Sequence, residues 1–244
     1  MKENKYDDER FFVKYSEMER SQKGLEGAGE WSMLRKLLPS FDQKRVLDLG
    51  CGYGWHCKYA AQNGAKSVLG TDISERMLAE ARSKNTHPQI EYVCSAMEDL
   101  RFEENSFDVV ISSLAFHYIK DFKALAEKIS KWTSCGGHFV FSVEHPVFTA
   151  YGSQDWYYDP DGNILHFPVD SYFYEGKRDA VFLGERVTKY HRTLTTYLNT
   201  LLENGFELQN IVEPQPPKSM MHLPGMADEM RRPMMLIVRA LRRG

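Results

Sequence analysis

The stretch Val46-Leu-Asp-Leu-Gly-Cys-Gly-Tyr-Gly54 leaves few folds open to this chain. Its apolar start, Arg45 to Leu49, reads as a short buried strand, its alternate glycines as a turn, and Trp55 to Asn63 as the helix that follows. A strand that passes through a glycine-rich turn into a helix is how open α/β sheets bring backbone close to a ligand, outside the carboxyl ends of their strands. The neighbouring sequence agrees. A second apolar run, Ser67 to Gly70, precedes a helix over Ser74 to Lys84 with Ser74 as its N-cap. Strands are predicted next at Ile90 to Val93 and Phe107 to Ser112, then a helix over Phe122 to Trp132, the turn Ser134-Cys-Gly-Gly137 and a strand over Gly137 to Val143. Strands alternating with helices of about ten residues imply right-handed crossovers and a mostly parallel sheet.

The flanks differ in character. From Asp8 to Leu38 the chain is charged and amphipathic, with Phe11, Phe12, Tyr15 and Met18, then Trp31, Leu34, Leu37 and Leu38, at helical spacing around the glycine-rich break Gly24 to Gly29. Two helices are predicted there, the second stopping at Pro39. Phe148 to Lys189 breaks the alternation with Trp156, Tyr157, Tyr158, Phe167, Tyr172, Phe173 and Tyr174, and reads as an insertion over the strand ends. A helix at Thr193 to Asn204, a strand at Phe206 to Val212 and a last strand at Met234 to Arg239, antiparallel at or near the edge, complete the sheet. The expected units are an N-terminal segment (1–40) covering a cofactor site, a binding core (41–147), an insertion serving as lid and acceptor pocket (148–189), and the completion of the sheet (190–244).

Composition limits the function classes. The net charge of −3 and the absence of an added basic module argue against nucleic acid as partner, although Arg231, Arg232, Arg239, Arg242 and Arg243 could form a basic end for an RNA substrate. The charged start and the lack of a long apolar run predict a cytoplasmic protein that does not enter a membrane, monomeric or homodimeric. Cys51, Cys57, Cys94 and Cys135 show no metal-ligand spacing and read as reduced, mostly buried thiols; no metal site is expected, and His56 beside Cys57 diverges from it on a helix.

Two acids sharpen the ligand. Asp72 ends the second strand in Val68-Leu-Gly-Thr-Asp72, where a carboxylate can accept both ribose hydroxyls of a nucleoside. An NAD-binding domain would share that acid, but the third glycine of its G-x-G-x-x-G turn would fall at Trp55. Asp48 precedes the turn. The bland alternative for both acids is loop capping.

With Phe107-Asp-Val-Val-Ile-Ser-Ser-Leu-Ala-Phe-His117 and Gly136-Gly137 added to these two motifs, the sequence from Val46 to Val143 resembles the class I S-adenosylmethionine-dependent methyltransferases, with closest likeness to the small-molecule branch of ubiquinone and menaquinone biosynthesis. The resemblance implies a Rossmann-like three-layer α/β sandwich on a seven-stranded, mostly parallel sheet with an antiparallel last strand. It implies S-adenosylmethionine as methyl donor, S-adenosylhomocysteine as product and a small organic acceptor. By the same resemblance Gly50, Cys51 and Gly52 pack on the methionyl part, Asp48 anchors its amino group directly or through water, Asp72 holds the ribose, and Ile73 and Met77 line the adenine. Relatives often carry an acid after strand 3 where this chain has Ala96, so Ser95, Met97 or Glu98 must receive the adenine amino group. Ser112, Ser113 and Leu114 end strand 4 where methyl and acceptor meet, and Tyr15 with Arg20 is placed over the cofactor carboxylate.

Methyl transfer from a sulfonium is an in-line displacement, so alignment in a dry pocket supplies most of the acceleration and a base is optional. His117 is the first candidate base, with a carbonyl-bonded helix-start histidine as its alternative. Glu144 and His145 leave strand 5 at the mouth of the site and either could instead fix the root of the insertion. His191 reads as a capping or packing histidine. A binder without turnover remains the competing class.

Overall fold

The computed structural model describes residues 4–244. Helices α1 (Glu9–Ser16), α2 (Glu19–Gln22) and α3 (Trp31–Leu37) lead into β1 (Arg45–Leu49), α4 (Trp55–Gln62), β2 (Ser67–Asp72), α5 (Glu75–Lys84), β3 (Ile90–Cys94), β4 (Phe107–Ser113), α6 (Phe122–Trp132) and β5 (Thr133–Glu144). After α7 (Pro146–Ala150) come two hairpins, β6 (Tyr157–Tyr158) with β7 (Ile164–His166) and β8 (Gly176–Phe182) with β9 (Glu185–His191), then α8 (Leu194–Glu203), β10 (Phe206–Val212), α9 (Met226–Glu229) and β11 (Met235–Arg242).

Seven strands form one sheet in the order β10-β11-β5-β4-β1-β2-β3, with β11 antiparallel to both of its neighbours and the other pairings parallel. The last strand therefore lies one place in from the edge, and β10 takes the edge itself. Strand order reverses between β1 and β4, which opens the crevice at the carboxyl ends where such sheets bind ligands.

The pleat sorts the core. Leu47, Leu49, Val110, Phe139, Phe141 and Val238 face α6 and α8, while Val46, Val68, Val109 and Ile111 face α4 and α5, and Val140 and Ile237 face α3. Helix α6 buries Phe122, Leu125, Ala126 and Ile129 at three- and four-residue spacing, and the Asp121 carboxylate caps it by accepting the Ala124 N–H at 2.9 Å. Ser74 caps α5 as the sequence suggests, accepting the Met77 N–H at 3.1 Å. Removing a ring such as Phe141, fully buried in this layer, costs about 3–5 kcal/mol by loss of transfer energy and the cavity left behind.

Two local expectations need correction. The first amphipathic segment is two short helices, because the chain breaks at Glu17 and Met18 before α2. Only Cys51 and Cys57 are buried; Cys94 ends the edge strand β3 and Cys135 sits in the turn inside β5, and both are exposed. Within the aromatic insertion Trp156 and Phe167, with Phe148, surround the Arg232 guanidinium at 4.5 to 4.9 Å from their ring centres, and Phe173 and Tyr174 project into solvent. The β8–β9 hairpin turns back instead onto α1, where Phe11 packs with Ala180 and Val187.

Candidate active site

A single cavity of about 830 Å³ lies over the carboxyl ends of β1, β2, β4 and β5. Its floor is the β1–α4 turn, in which Gly50, Gly52 and Gly54 all have positive φ. Only glycine takes this path without strain, and the space is also full: a Cβ on Gly50 would lie 2.6 Å from that of Ala115, and one on Gly54 would overlap the Tyr92 hydroxyl. The loop is tied to β2 by its own N–H groups. Gly50 and Cys51 both donate to the Thr71 carbonyl, at 2.8 and 2.9 Å, and Gly52 donates to Asp72 Oδ2 at 2.9 Å. What the loop offers a ligand is thus close approach to bare backbone, since those three donors are already used.

Asp72 stands beside it, accepting the Ser74 N–H through Oδ1 at 2.9 Å and retaining an acceptor site on each oxygen. Burial raises its carboxyl above the ordinary value against the pull of the Ser74 and Gly52 N–H groups. Ile73, Met77, Ser95, Ala96, Met97 and Glu98 continue the wall from Asp72. Cys51, Gly52, Leu114, Tyr15 and Arg20 also line the cavity.

Asp48 and Ser112 do not. The pleat turns Asp48 to the α4 side with Val46, where it is 1% exposed, accepts the Cys57 thiol at 3.2 Å and leaves Oδ1 without a partner. Burial lifts its carboxyl to about 7, Cys57 opposing and Asp72 adding to the rise. Ser112 is fully buried and donates to the Leu49 carbonyl at 2.8 Å, stitching β4 to β1; the next residue, Ser113, faces the cavity in its place. Leu114 has a φ of +52°, rare for a branched side chain, and its N–H is held by the Ser142 carbonyl at 2.9 Å.

The N-terminal segment supplies an ion pair the sequence did not flag. Glu30, 2% exposed, takes the Arg20 guanidinium at 2.7 Å on Oε1 and leaves Oε2 unpartnered at the cavity wall. Burial is the largest influence and favours the neutral carboxyl, but Arg20, the backbone N–H of Glu30 and His56 together outweigh it and the net shift is downward. The Trp55 indole N–H nearby is also buried without a partner. The only hint in the sequence was an acid in the otherwise small and apolar stretch from Gly27 to Trp31. His56 faces Trp31, and its neighbour Cys57 faces Asp48, so the two diverge as expected.

At the far end His117 and Glu144 line the cavity, His117 from a short 3-10 turn (Phe116–Tyr118) after β4 and Glu144 from the end of β5. Tyr6, Tyr118, Phe182, Tyr190 and the methionines Met220, Met226, Met234 and Met235 also line the cavity. Tyr6, Phe182 and Tyr190 come from segments with no motif, and only their meeting in space reveals them. His145 is not among them. Its Nδ1 accepts the Val147 N–H at 3.0 Å as the N-cap of α7, and its Nε2 faces Glu213 at 2.9 Å, away from the cavity. His191 is a packing histidine, with Nδ1 2.8 Å from the Thr149 hydroxyl and Nε2 2.8 Å from the Tyr172 carbonyl.

The donor set suits a nucleoside joined to an amino acid. A carboxylate with two open acceptor sites stands at one side, a guanidinium beside a half-satisfied carboxylate at another, and glycine backbone between them. Among the described residues no helix is long and apolar enough to cross a membrane.

Comparison with known proteins identifies the family. The family described as a methyltransferase domain matches residues 47–141. The structure is similar to that of a candidate S-adenosylmethionine-dependent methyltransferase from Listeria monocytogenes, with 56% identity, a TM-score of 0.87, and coverage of 91% of this chain and all of that one. It is also similar to an S-adenosylmethionine-dependent methyltransferase from Mesorhizobium loti, with 42% identity, a TM-score of 0.82, and coverage of 90% of this chain and all of that one. A ubiquinone biosynthesis O-methyltransferase from Neisseria meningitidis is 32% identical over 158 residues, which span 59% of this chain and 66% of that protein.

Proposed function

The chain belongs to the class I S-adenosylmethionine-dependent methyltransferases, and on that premise we propose that it transfers the methyl group to a small organic acceptor held between His117, Glu144 and the β8–β9 hairpin. The observation that carries this reading is that one cavity is lined both by Asp72 and the glycine turn and by His117 and Glu144. Bound there, S-adenosylmethionine supplies an electrophilic methyl group on a positively charged sulfur.

The residues divide the work by position. Asp72 takes the ribose hydroxyls on its two open acceptor sites. Ile73 and Met77 hold the adenine, with Ser95, Ala96 and Met97 at its edge. Gly50, Cys51 and Gly52 let the methionyl chain lie against the backbone. Arg20 and Tyr15 meet the carboxylate of that chain and Glu30 accepts from its ammonium group, while Asp48 stays behind the turn, where it ties β1 to α4 through Cys57. The segment 1–40 covers the cofactor, and the hairpin is the part of 148–189 that reaches the acceptor. Closure by these two segments excludes water and fixes the line of attack, the main source of rate in such a displacement.

The test is calorimetric and thermal-shift titration with S-adenosylmethionine, S-adenosylhomocysteine and NAD, followed by a screen of small acceptors for release of S-adenosylhomocysteine. Stabilisation by the first two alone, about 2.7 kcal/mol at a hundredfold excess over the dissociation constant, is expected. Tight binding without turnover on any acceptor class would instead favour a binding protein.

A further inference from the structure

Glu144 is held in a closed ring of three side chains. Lys189, on β9 and 2% exposed, donates to Glu144 Oε1 at 2.6 Å and to Gln154 Oε1 at 2.7 Å, and Gln154 Nε2 donates to Glu144 Oε2 at 2.8 Å. Each carboxylate oxygen keeps one acceptor site after this, and the residue still lines the cavity. His117 stands next to it. Its Nδ1 faces the Glu144 backbone N–H at 3.5 Å, which leaves the proton of the neutral ring on Nε2, and Nε2 lies 3.9 Å from Glu144 Oε1. That gap is too long for a direct hydrogen bond, and one oxygen about 2.8 Å from both atoms would bridge it. Burial keeps the ring neutral, down to about 4, although Glu144 pulls the other way; Lys189, Arg192 and Arg20 are the cations whose fields also reach it.

We propose that His117 and Glu144 form a donor–acceptor clamp for a hydroxyl group, so that the acceptor is a hydroxyl compound methylated on oxygen, and that Lys189 is the positioning residue that fixes the clamp from the hairpin. This deepens the methyltransferase reading and rests on it. A hydroxyl fits because it donates its proton to the carboxylate, accepts the Nε2–H on one lone pair and attacks with the other. A neutral amine has a single lone pair, which the Nε2–H would occupy, and a protonated amine has none. In the transfer the oxygen–carbon bond forms as the carbon–sulfur bond breaks, sulfur keeps the electron pair, and the hydroxyl proton passes to Glu144. A carboxylate is a weak base, but it suffices because the proton becomes strongly acidic as the oxygen takes on the methyl group.

The test uses phenol and aniline, which differ in that one group, on the protein saturated with S-adenosylhomocysteine. The His117 ring nitrogens are followed by NMR after assignment through the backbone. Phenol is expected to move the Nε2 resonance and to bind about tenfold more tightly than aniline, with the preference lost in Glu144→Gln and in His117→Gln. Equal or tighter binding of aniline overturns the proposal, as does a His117 resonance that phenol does not move. Lys189→Met is expected to raise the Glu144 carboxyl titration, read from its side-chain carbon, and Lys189→Arg to restore it; an unmoved midpoint in folded protein overturns the positioning role. Binding of S-adenosylhomocysteine, measured in the same samples, tests the methyltransferase reading separately, since the clamp can fail while that binding persists.

Discussion

Asp72 and Gly52 are joined by a hydrogen bond of 2.9 Å from the glycine N–H to Oδ2, so the acid placed for the ribose also holds the turn placed for the methionyl chain. The two halves of the cofactor site are one mechanical unit. Asp72→Ala should therefore weaken S-adenosylhomocysteine binding by about 2–3 kcal/mol, roughly 30- to 150-fold, through lost charged hydrogen bonds. Asp72→Asn keeps an acceptor for Gly52 and should lose clearly less. Calorimetry on both variants checks this, and an affinity unchanged in Asp72→Ala would remove the ribose assignment.

Arg20 and Glu30 form the second pair whose effect can be separated. Arg20→Met leaves a carboxylate buried without its cation, which costs about 3–5 kcal/mol in such settings. Arg20→Met with Glu30→Leu removes both charges and should be milder than the single change in urea unfolding, while cofactor affinity stays low in both. If the double variant bound S-adenosylhomocysteine as tightly as the parent, the pair would be structural only.

The parts of this molecule legible in its sequence are those written locally. Val46 to Gly54, Val68 to Asp72 and the Phe122 to Trp132 helix each carry their own periodicity, cap or turn residues, and the parallel sheet follows from their alternation. The pleat could not be read to a single residue, which is why Ser112 yields its place to Ser113 and why Asp48 faces α4. Lys189, Gln154 and Tyr6 had no local signal, because their roles arise from contacts between segments distant in the chain, such as Lys189 with Glu144. The aromatic insertion reads two ways for a related reason. A cluster of rings marks a place where something is packed, and here the packed group is the protein's own Arg232.

His145 and His117 should separate in function although both flank strand ends. His145→Ala removes the cap of α7 and the contact with Glu213, lowering stability by about 1–2 kcal/mol. Its affinity for S-adenosylhomocysteine and its turnover, once an acceptor is in hand, should stay within about twofold of the parent. A loss of turnover with intact folding would return His145 to the catalytic set.

Asp48 should shape the dependence of stability on pH in a sense opposite to that of most carboxylates. Its folded value is raised to about 7 from 3.8, so between those limits the folded protein holds a proton that the unfolded chain has released. Stability then falls as pH rises, by about 1.4 kcal/mol per unit within that window, and the penalty is complete above about 7. His56 and His117, both lowered by burial to about 4, act the other way: the unfolded chain gains protons below about 6.5 that the folded state refuses, so acid destabilises. The two effects overlap between about 4 and 6.5, and substitution separates them. In Asp48→Asn the stability gained over the parent, from urea unfolding of the free protein, should grow with pH up to about 7 and then level off, while the acid limb set by the histidines persists. Parallel curves for parent and variant would mean that Asp48 is not proton-bound in the folded state.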